Sequence, residues 1–508
     1  MSPRPSLVFV GFMGAGKSTL AKEAAKLMGA GEAADSDRIL EAAWGKRIEA
    51  VFDSEGEAAF RAREEQTVCE LLAQADGGVI SLGGGAVLPP RVQAELTRHT
   101  VVLSEVSLAT AWSRASGRGR PLARDRAAFD ALYPERSAVY ERVADAFVPE
   151  GPRGRLARAL GHLRSLAEAP AGVRLVWAHS ASGDYPVLVG RGALGGCAWP
   201  AAGRRFCVSD ETVAALYAGQ VPELSGLVEI PPGESAKTLA TAETVWRALV
   251  AQGVTRADHV VALGGGVVGD LAGFCAATYQ RGVPVVQVPT SVVAQVDSAY
   301  GGKTGVDLPE AKNYVGAYHQ PAAVLVDPAT LATLPPEEHA AGYAEVLKTA
   351  LIAGGPLWAH VAAGGAVDDA TIFACARTKL AVVAADERDG GARQLLNLGH
   401  TVGHAIETVT GYARLRHGEA VGLGLLAALT LSGQPALRED VAELLAAAGL
   451  PTTIAGIDPA AVVAATARDK KRVEEHVPFV LVDGVGDVRY GRPVSAADLL
   501  AAVAELVG

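Results

Sequence analysis

The sequence predicts an α/β protein: a parallel sheet with flanking helices, followed by a second half of two lobes, one α/β and one α-helical. Three observations carry that prediction. The chain has 508 residues, well beyond the roughly 100 to 200 of one domain, so about three folding units are expected. It is 49% hydrophobic and 20% charged with 58 glycines, which suits Ala/Gly/Val-rich domains with large cores and excludes a disordered chain. Short apolar runs alternate with amphipathic segments up to about Pro335, after which Ala/Leu-rich helical segments take over. That is the pattern of strands joined by helices and then of helices alone.

Taken in order, "SLVFV" ending at Val10 reads as a buried strand, "GKSTLAKEAAKLMG" as an amphipathic helix closed by glycine, and "GGVISL" and "TVVLSE" as further strands. "RGRLARALGHLRSLAE" ends like a helix with basic residues, and "APAG" punctuates it. The expected limits are therefore 1–167 for a first domain, 168–172 for a linker, 173–335 for an α/β lobe and 336–508 for an α-helical lobe. Within that second half "VRLVWAHS", "YPVLVG", "RRFCVSD", "HVVALGGG" and "VPVVQVPTS" read as strands.

Composition also removes whole classes of function. The net charge of −10 is unevenly spread, with 22 Lys+Arg against 21 Asp+Glu up to residue 165 and 24 against 35 after it, and no nucleic-acid partner is expected. Cys69, Cys197, Cys207, Cys275 and Cys375 are odd in number and never spaced CxxC; neither a disulfide framework nor a cysteine zinc site is indicated, and a reducing cytoplasm fits. No apolar run reaches the ~20 residues that a membrane helix needs, so no membrane partner is expected.

Gly11, Gly16, Lys17 and Ser18 satisfy G-x-x-x-x-G-K-[ST] between a predicted strand and a predicted helix, the context in which such a loop cradles phosphates. Backbone N–H groups of Gly14, Ala15, Gly16 and Thr19 would face a triphosphate, Lys17 would reach its β- and γ-phosphates, and Ser18 would ligate Mg²⁺. An acceptor site needs further groups. Asp35 and Asp37 in "ADSDRIL", Arg61 in "GEAAFRAREE" and Gly83, Gly84 and Gly85 in "ISLGGGAV" are candidates. Taken singly these read as a helix cap, a solvated arginine and a turn. With "GRGRPL" and "RSAVYERVA" added, residues 5 to 165 resemble shikimate kinase. The resemblance implies that Asp37 contacts a shikimate hydroxyl as base, that Asp35 joins Ser18 at Mg²⁺, and that Arg61 and Arg136 hold the carboxylate. It places Arg120 on a lid over ATP, where an arginine neutralises charge on the moving phosphoryl group; Arg114, Arg118 and Arg124 read as solvated surface.

In the second half "LGGGVVGDLAGF" has glycines after a strand without the G-x-G-x-x-G spacing, a moderate nucleotide signal. His400 and His404 in "LLNLGHTVGHAIE" are four apart, on one face if helical, and "LRHGEAVG" adds His417. Two imidazoles and a carboxylate make a zinc set. With "PGESAKT", "TYQRGVP", "VPTSVVAQVDSAYGGKTGVD", "KNYVGAYHQP" and "GYAEVLKT", the chain from Tyr185 onward resembles 3-dehydroquinate synthase. That resemblance implies Zn²⁺ or Co²⁺ on Glu345, His400 and His417. It implies NAD against Asp210, Glu234, Lys237, Gly265, Gly266, Asp270, Thr290, Ser291, Asp297, Lys303 and Lys312. It places Lys303, Asn313, Asn397, His404, Arg281 and a lysine of "DKK", Lys471, around a substrate phosphate, Lys379 and Arg393 at its carboxylate, and Lys348 among the catalytic groups. Asp389 in "ADERDGG" stands where that family often has glutamate, which weakens any role there.

The whole then reads as a bifunctional enzyme of the shikimate route, using ATP with Mg²⁺, NAD and Zn²⁺ or Co²⁺, and acting on shikimate and 3-deoxy-D-arabino-heptulosonate 7-phosphate. A homodimer through the second half is implied, with Arg281 crossing the interface. The alternatives are another sugar phosphate cyclase or a polyol dehydrogenase in the second half, and a non-catalytic ATP-binding module in the first.

Overall fold

A computed structural model describes residues 4–117, 121–151, 154–466 and 479–508; Arg120 and Lys471, expected on a lid and at a phosphate, lie outside them. Contacts gather the chain into two units: Met1–Ala178 with Asp184–Leu188 and Gly196–Pro200, and the remainder.

The first unit is built on strands β1 (Leu7–Val10), β2 (Ala34–Asp35), β3 (Val79–Ser81), β4 (Thr100–Ser104), β5 (Ala146–Val148), β6 (Arg174–Ser180) and β7 (Gly183–Val189). They follow the order β2-β3-β1-β4-β5-β6-β7, and each pairing from β2 to β6 is parallel. β1 is fully buried, as its unbroken apolar run requires in a sheet covered on both faces. The order reverses at β1, and ligands of open parallel sheets sit beyond the carboxyl ends of the strands at such a point.

Helices α1 (Lys17–Met28), α2 (Ser36–Trp44), α3 (Ile48–Ala73), α4 (Pro90–Leu96), α5 (Leu108–Ala115), α6 (Arg126–Val143) and α7 (Arg155–Ser165) flank this sheet. Gly29 ends α1 in the left-handed region with φ 64°, and Ala30 N–H donates back to the Ala25 carbonyl at 3.0 Å. Such a closure satisfies carbonyls that the helix end would orphan. Ser107 and Asp125 cap α5 and α6, each typically worth about 1 kcal/mol. α3 changes direction at Gly56, where φ is 83°. The expected linker 168–172 lies inside this unit, because β6 comes back to pair with β5 (Ala146 opposite Leu175, Phe147 opposite Val176).

The second unit holds β8 (Arg205–Asp210), β9 (Leu224–Ile230), β10 (His259–Gly264), β11 (Val285–Pro289) and β14 (Ala323–Val326), ordered β14-β11-β10-β8-β9, all parallel. An antiparallel hairpin of β12 (Lys303–Leu308) and β13 (Ala311–Tyr318) interrupts them. The connecting helices are α8 (Ala193–Gly196), α9 (Glu211–Tyr217), α10 (Leu239–Ala251) and α11 (Gly266–Thr278). The helical lobe follows: α12 (Pro336–Ala353), α13 (Gly355–Ala362), α14 (Asp369–Ala385), α15 (His400–Val409), α16 (His417–Leu431), α17 (Pro435–Ala447), α18 (Pro459–Thr466) and α19 (Ala496–Ala504).

That lobe also contains a hairpin that the sequence reading omits, β15 (Phe479–Gly484) with β16 (Asp487–Arg492). Its second strand is mostly exposed and so lacks the apolar alternation by which strands are read. In the same lobe, a Cβ on Gly424 would lie 1.9 Å from the Gly399 carbonyl oxygen, and one on Gly418 1.8 Å from that of Ala341. α16 can approach the start of α15 and α12 this closely only because those positions have no side chain.

Candidate active sites

Beyond β1 the chain turns through Gly11 (φ 139°), Gly14 (φ 84°) and Gly16 (φ 85°). A Cβ on Gly11 would meet the Ser104 carbonyl oxygen at 2.6 Å, and one on Gly14 that of Ala111 at 2.7 Å, so no other residue fits. Ser104 Oγ donates to the Ala15 carbonyl at 2.7 Å and ties the loop to β4. Lys17 is buried and donates Nζ to the Phe12 carbonyl at 3.2 Å, while Ser18 Oγ lies 3.2 Å from Ser81 Oγ.

Gly14, Ala15, Gly16, Lys17, Ser18 and Thr19 line a cavity of about 660 Å³ together with Asp37, Arg61, Glu64, Gly84, Gly85 and Arg136. The phosphate loop and most of the expected acceptor-site residues therefore share one chamber. A Cβ on Gly83 would sit 2.4 Å from Asp37 Oδ1, and one on Gly85 2.2 Å from Arg61 Nη1; these two glycines are what lets those side chains reach the sheet end. Asp35 is outside this lining. Its carboxylate caps α2 by accepting from Arg38 N–H at 3.3 Å.

Two residues of this chamber were not expected from sequence. Glu64 is buried and accepts from Arg61 Nη1 at 2.5 Å, and burial pushes its carboxyl above the usual range against the pull of Arg61. Its signal was available, since it stands three residues after Arg61 on one helical face. Arg114, expected as solvated surface, instead donates to the Gly14 carbonyl at 3.3 Å and pairs with Glu150 on the cavity wall. Arg124 does stay exposed, bound to Glu49 and Asp53 at 3.0 Å each.

In the second unit Glu345 on α12 is fully buried, and its Oε2 lies 2.5 Å from Lys348 Nζ. Glu345 Oε1 lies 3.5 Å from His400 Nε2 and 3.3 Å from His417 Nε2. His400 Nδ1 is 3.1 Å from the Leu398 carbonyl, which fixes that ring with Nε2 toward Glu345. Ligand atoms of His400, His404 and His417 fall within 4.8 Å of one another. A buried carboxylate whose Oε1 faces two imidazole nitrogens fits the donor set of a zinc-type cation. Burial opposes ionisation of Glu345, but Lys348 and the two imidazoles hold its carboxyl well below the usual range.

A charged network extends from this point. Lys348, fully buried, pairs with Glu345 at 2.5 Å and Asp297 at 3.1 Å, and Lys379 also pairs with Asp297. Lys237 joins Asp270 at 2.6 Å and Asn313 Oδ1 at 2.5 Å, with Glu234 3.8 Å away. Lys312 reaches Glu407 at 3.3 Å and Glu234 at 3.9 Å. Glu407 was not expected either; it is buried 3.6 Å from His417 Nδ1. Its burial is outweighed by His417 and Lys312, which hold its carboxyl at about 2.

Other expected residues sit as follows. Gly265 caps α11, Gly266 opens it, and a Cβ on Gly265 would lie 3.3 Å from Ser291 Oγ. Thr290 N–H donates to the Gly264 carbonyl at 3.0 Å, and Asp210 caps α9 at the end of β8. Lys303 pairs with Asp389 at 2.8 Å. Arg393 is buried and donates to the carbonyls of Glu387 and Gly301. Asn397 donates to the Gln394 carbonyl. Arg281 stands on an exposed turn with φ 67°, and no described ion pair joins it to the cluster.

Comparison with known proteins matches these halves to two families. The shikimate kinase model matches residues 13–159, and the N-terminal and C-terminal models of 3-dehydroquinate synthase match 227–341 and 342–472. The chain is 45% identical over 336 residues to the 3-dehydroquinate synthase of Halorhodospira halophila, covering 62% of this chain and 94% of that one. The chain belongs to the 3-dehydroquinate synthase family. A further synthase, from Bradyrhizobium sp., is 42% identical over 347 residues, covering 62% of this chain and 91% of its own. Among solved structures, 2-epi-5-epi-valiolone synthase from Streptomyces hygroscopicus subsp. jinggangensis, with NAD⁺ and Zn²⁺ bound, aligns with TM-score 0.58 and 30% identity over 63% of this chain and 96% of that one. A shikimate kinase domain and a synthase half are thus both present, and the chain is a bifunctional enzyme of the shikimate pathway.

Proposed function

We propose that the kinase unit transfers the γ-phosphoryl group of MgATP to shikimate, giving 3-phosphoshikimate, and that the synthase unit converts 3-deoxy-D-arabino-heptulosonate 7-phosphate to 3-dehydroquinate and phosphate. The observation that supports this most is that each half gathers its own anion-holding residues around its own reactive groups: Lys17 shares a chamber with Asp37, Arg61 and Arg136, and Glu345 faces His400 and His417 beside a lysine network.

In the kinase chamber Lys17 would steady the β- and γ-phosphates and Ser18 would hold Mg²⁺, whereas Asp35, the cap of α2, lies outside the lining. Asp37 accepts the proton of the attacking hydroxyl. Arg61 and Arg136 grip the planar carboxylate as bidentate forks, and Glu64 keeps the Arg61 fork oriented.

In the synthase unit Glu345, His400 and His417 would hold Zn²⁺ or Co²⁺, and the glycine turn at Gly265 and Gly266, with Asp210, Asp270, Thr290 and Ser291, would hold NAD. Bound there, the pair supplies Lewis acidity and a hydride acceptor that is regenerated each turnover. Lys303, Asn313, Asn397 and His404 would surround the phosphate, and Lys379 and Arg393 would take the carboxylate. Lys348 balances the charge of Glu345 and Asp297. A plain polyol dehydrogenase would have no phosphate for these cations to hold. We also propose a homodimer completed by Arg281, testable by sedimentation, and a cytoplasmic location in keeping with five free cysteines.

The deciding experiment gives the purified full chain each substrate set separately and assays both products. Formation of 3-phosphoshikimate in one reaction and of 3-dehydroquinate with phosphate in the other is expected. Absence of either product would remove that half of the assignment.

A further inference from the structure

The cavity wall of the kinase unit includes Pro149, Glu150, Gly151, Gly154, Arg155 and Leu156, which follow β5. Arg114 joins this stretch to the phosphate loop by contacting both Gly14 and Glu150. That continuity puts the stretch on the nucleotide side of the chamber, where the base and ribose of a nucleotide seated on the loop would lie.

A second guanidinium, that of Arg155, also holds that wall. Arg155 is buried and donates Nη1 to the carbonyls of Pro149 at 3.2 Å and Glu150 at 2.5 Å. It lies flat against Gly151, where a Cβ would be 1.9 Å from Nη1. Its Nε is 3.3 Å from Asp184 Oδ2. Asp184 is 5% exposed and also receives Arg158 Nη2 at 2.5 Å and Trp177 Nε1 at 3.4 Å. Asp184 and Trp177 belong to the β6–β7 hairpin, beyond the segment 13–159 that matches the kinase family. The hairpin is itself fixed to the kinase sheet by the β5–β6 pairing and by Arg174, which donates to the carbonyls of Glu141 and Ala144.

We propose that Asp184 is a positioning residue for nucleotide binding by the kinase unit: from outside the kinase segment, it orients Arg155 and thereby sets the wall at Pro149 and Glu150 against which the nucleotide base lies. Arg155 cannot hold both carbonyls in a fixed direction unless its remaining edge is anchored, and a buried carboxylate is the group that anchors a guanidinium most firmly.

The inference rests on the kinase reading, so the test measures nucleotide binding directly: MgADP titrated calorimetrically into the full chain, beside KM values for ATP and shikimate. Asp184→Asn should weaken MgADP binding and raise KM for ATP by about tenfold, the order expected for one lost hydrogen bond to a charged group. KM for shikimate and synthase turnover should stay within about twofold. Arg155→Lys keeps the buried pair balanced should the first variant fold poorly, and it should show the same nucleotide defect. Arg158→Ala, which removes the exposed partner only, should leave MgADP affinity unchanged. Unaltered MgADP affinity in folded Asp184→Asn or Arg155→Lys would overturn the proposal, as would an equal rise in both KM values. A wild-type chain that binds MgADP without phosphorylating shikimate would instead refute the kinase reading and leave this test intact.

Discussion

Single residues carry the chemistry here through what lies beside them. Arg61 is held between Glu57 and Glu64 and stacked over Phe52 and Phe60, so its fork is set before any carboxylate arrives. Lysine at that position keeps the charge and loses the fork; Arg61→Lys should raise KM for shikimate about tenfold or more with little change in KM for ATP. Steady-state kinetics with each substrate varied in turn decides this, and equal effects on both would make Arg61 merely structural. At the metal site Glu407 stands behind His417 as Glu345 stands in front of it. A carboxylate behind a liganding imidazole fixes its ring and raises its basicity, and losing one typically costs 10- to 100-fold in metal affinity. Glu407→Gln should therefore weaken Zn²⁺ binding by about that factor, and Glu345→Gln by more, in a competition titration of metal-stripped protein against a chromophoric chelator. In the sequence Arg61 and Arg136 were singled out through the resemblance to shikimate kinase, and His400 and His417 through their spacing and the resemblance to 3-dehydroquinate synthase. Glu64 was legible only as a neighbour of Arg61, and Arg114 and Glu407 not at all, because an acidic or basic residue on a helix looks solvated until the fold buries it.

At the scale of elements, the parallel strands were readable wherever burial on both faces left an unbroken apolar run, as in β1, β4, β10 and β11. β13 and β16 were not, since each is largely exposed and keeps the glycines and charges of a turn. Periodicity likewise predicted helices after Pro335 but not that α15 and α16 would meet through bare backbone. Gly424→Ala forces a Cβ toward the Gly399 carbonyl next to His400, and should destabilise the synthase half by about 1 to 3 kcal/mol in urea unfolding while weakening metal retention. Histidines at strand entries set a pH dependence. His259 opens β10 fully buried with Nδ1 2.9 Å from the Ala202 carbonyl, and His99 precedes β4 with Nδ1 accepting from Ser6 N–H and Nε2 facing the Leu72 carbonyl. Burial lowers the pKa of both below 6.5. The unfolded chain then takes up protons at these two histidines near pH 6.5 that the native chain refuses, so their contribution to stability should fall as pH drops below that value. Urea midpoints at pH 7.5 and 5.5 measure the difference; His259→Gln should shrink it.

For the whole molecule the sequence made two chemistries legible, because each depends on local motifs: a phosphate loop between β1 and α1, and histidines on α15 and α16 that fold toward α12. It did not show the reach of the β6–β7 hairpin into the first unit, since strand pairing is decided by edges that no local pattern reveals. The two chemistries also use cations of different kinds. Mg²⁺ binds a few oxygens and exchanges readily, whereas a buried Glu/His₂ set retains a transition metal. The reactions should accordingly be separable in one preparation. Lys17→Ala removes the cation over the β- and γ-phosphates and should lower shikimate phosphorylation at least about 1000-fold, with dehydroquinate formation near wild type because Lys17 belongs to the phosphate loop and not to the synthase cluster. Treatment with a zinc-selective chelator in excess Mg²⁺ should do the converse, silencing the synthase until Zn²⁺ or Co²⁺ is restored and leaving the kinase rate intact. Both rates are read from the same samples, so loss of both activities in either arm would mean that the two sites depend on a shared structural state.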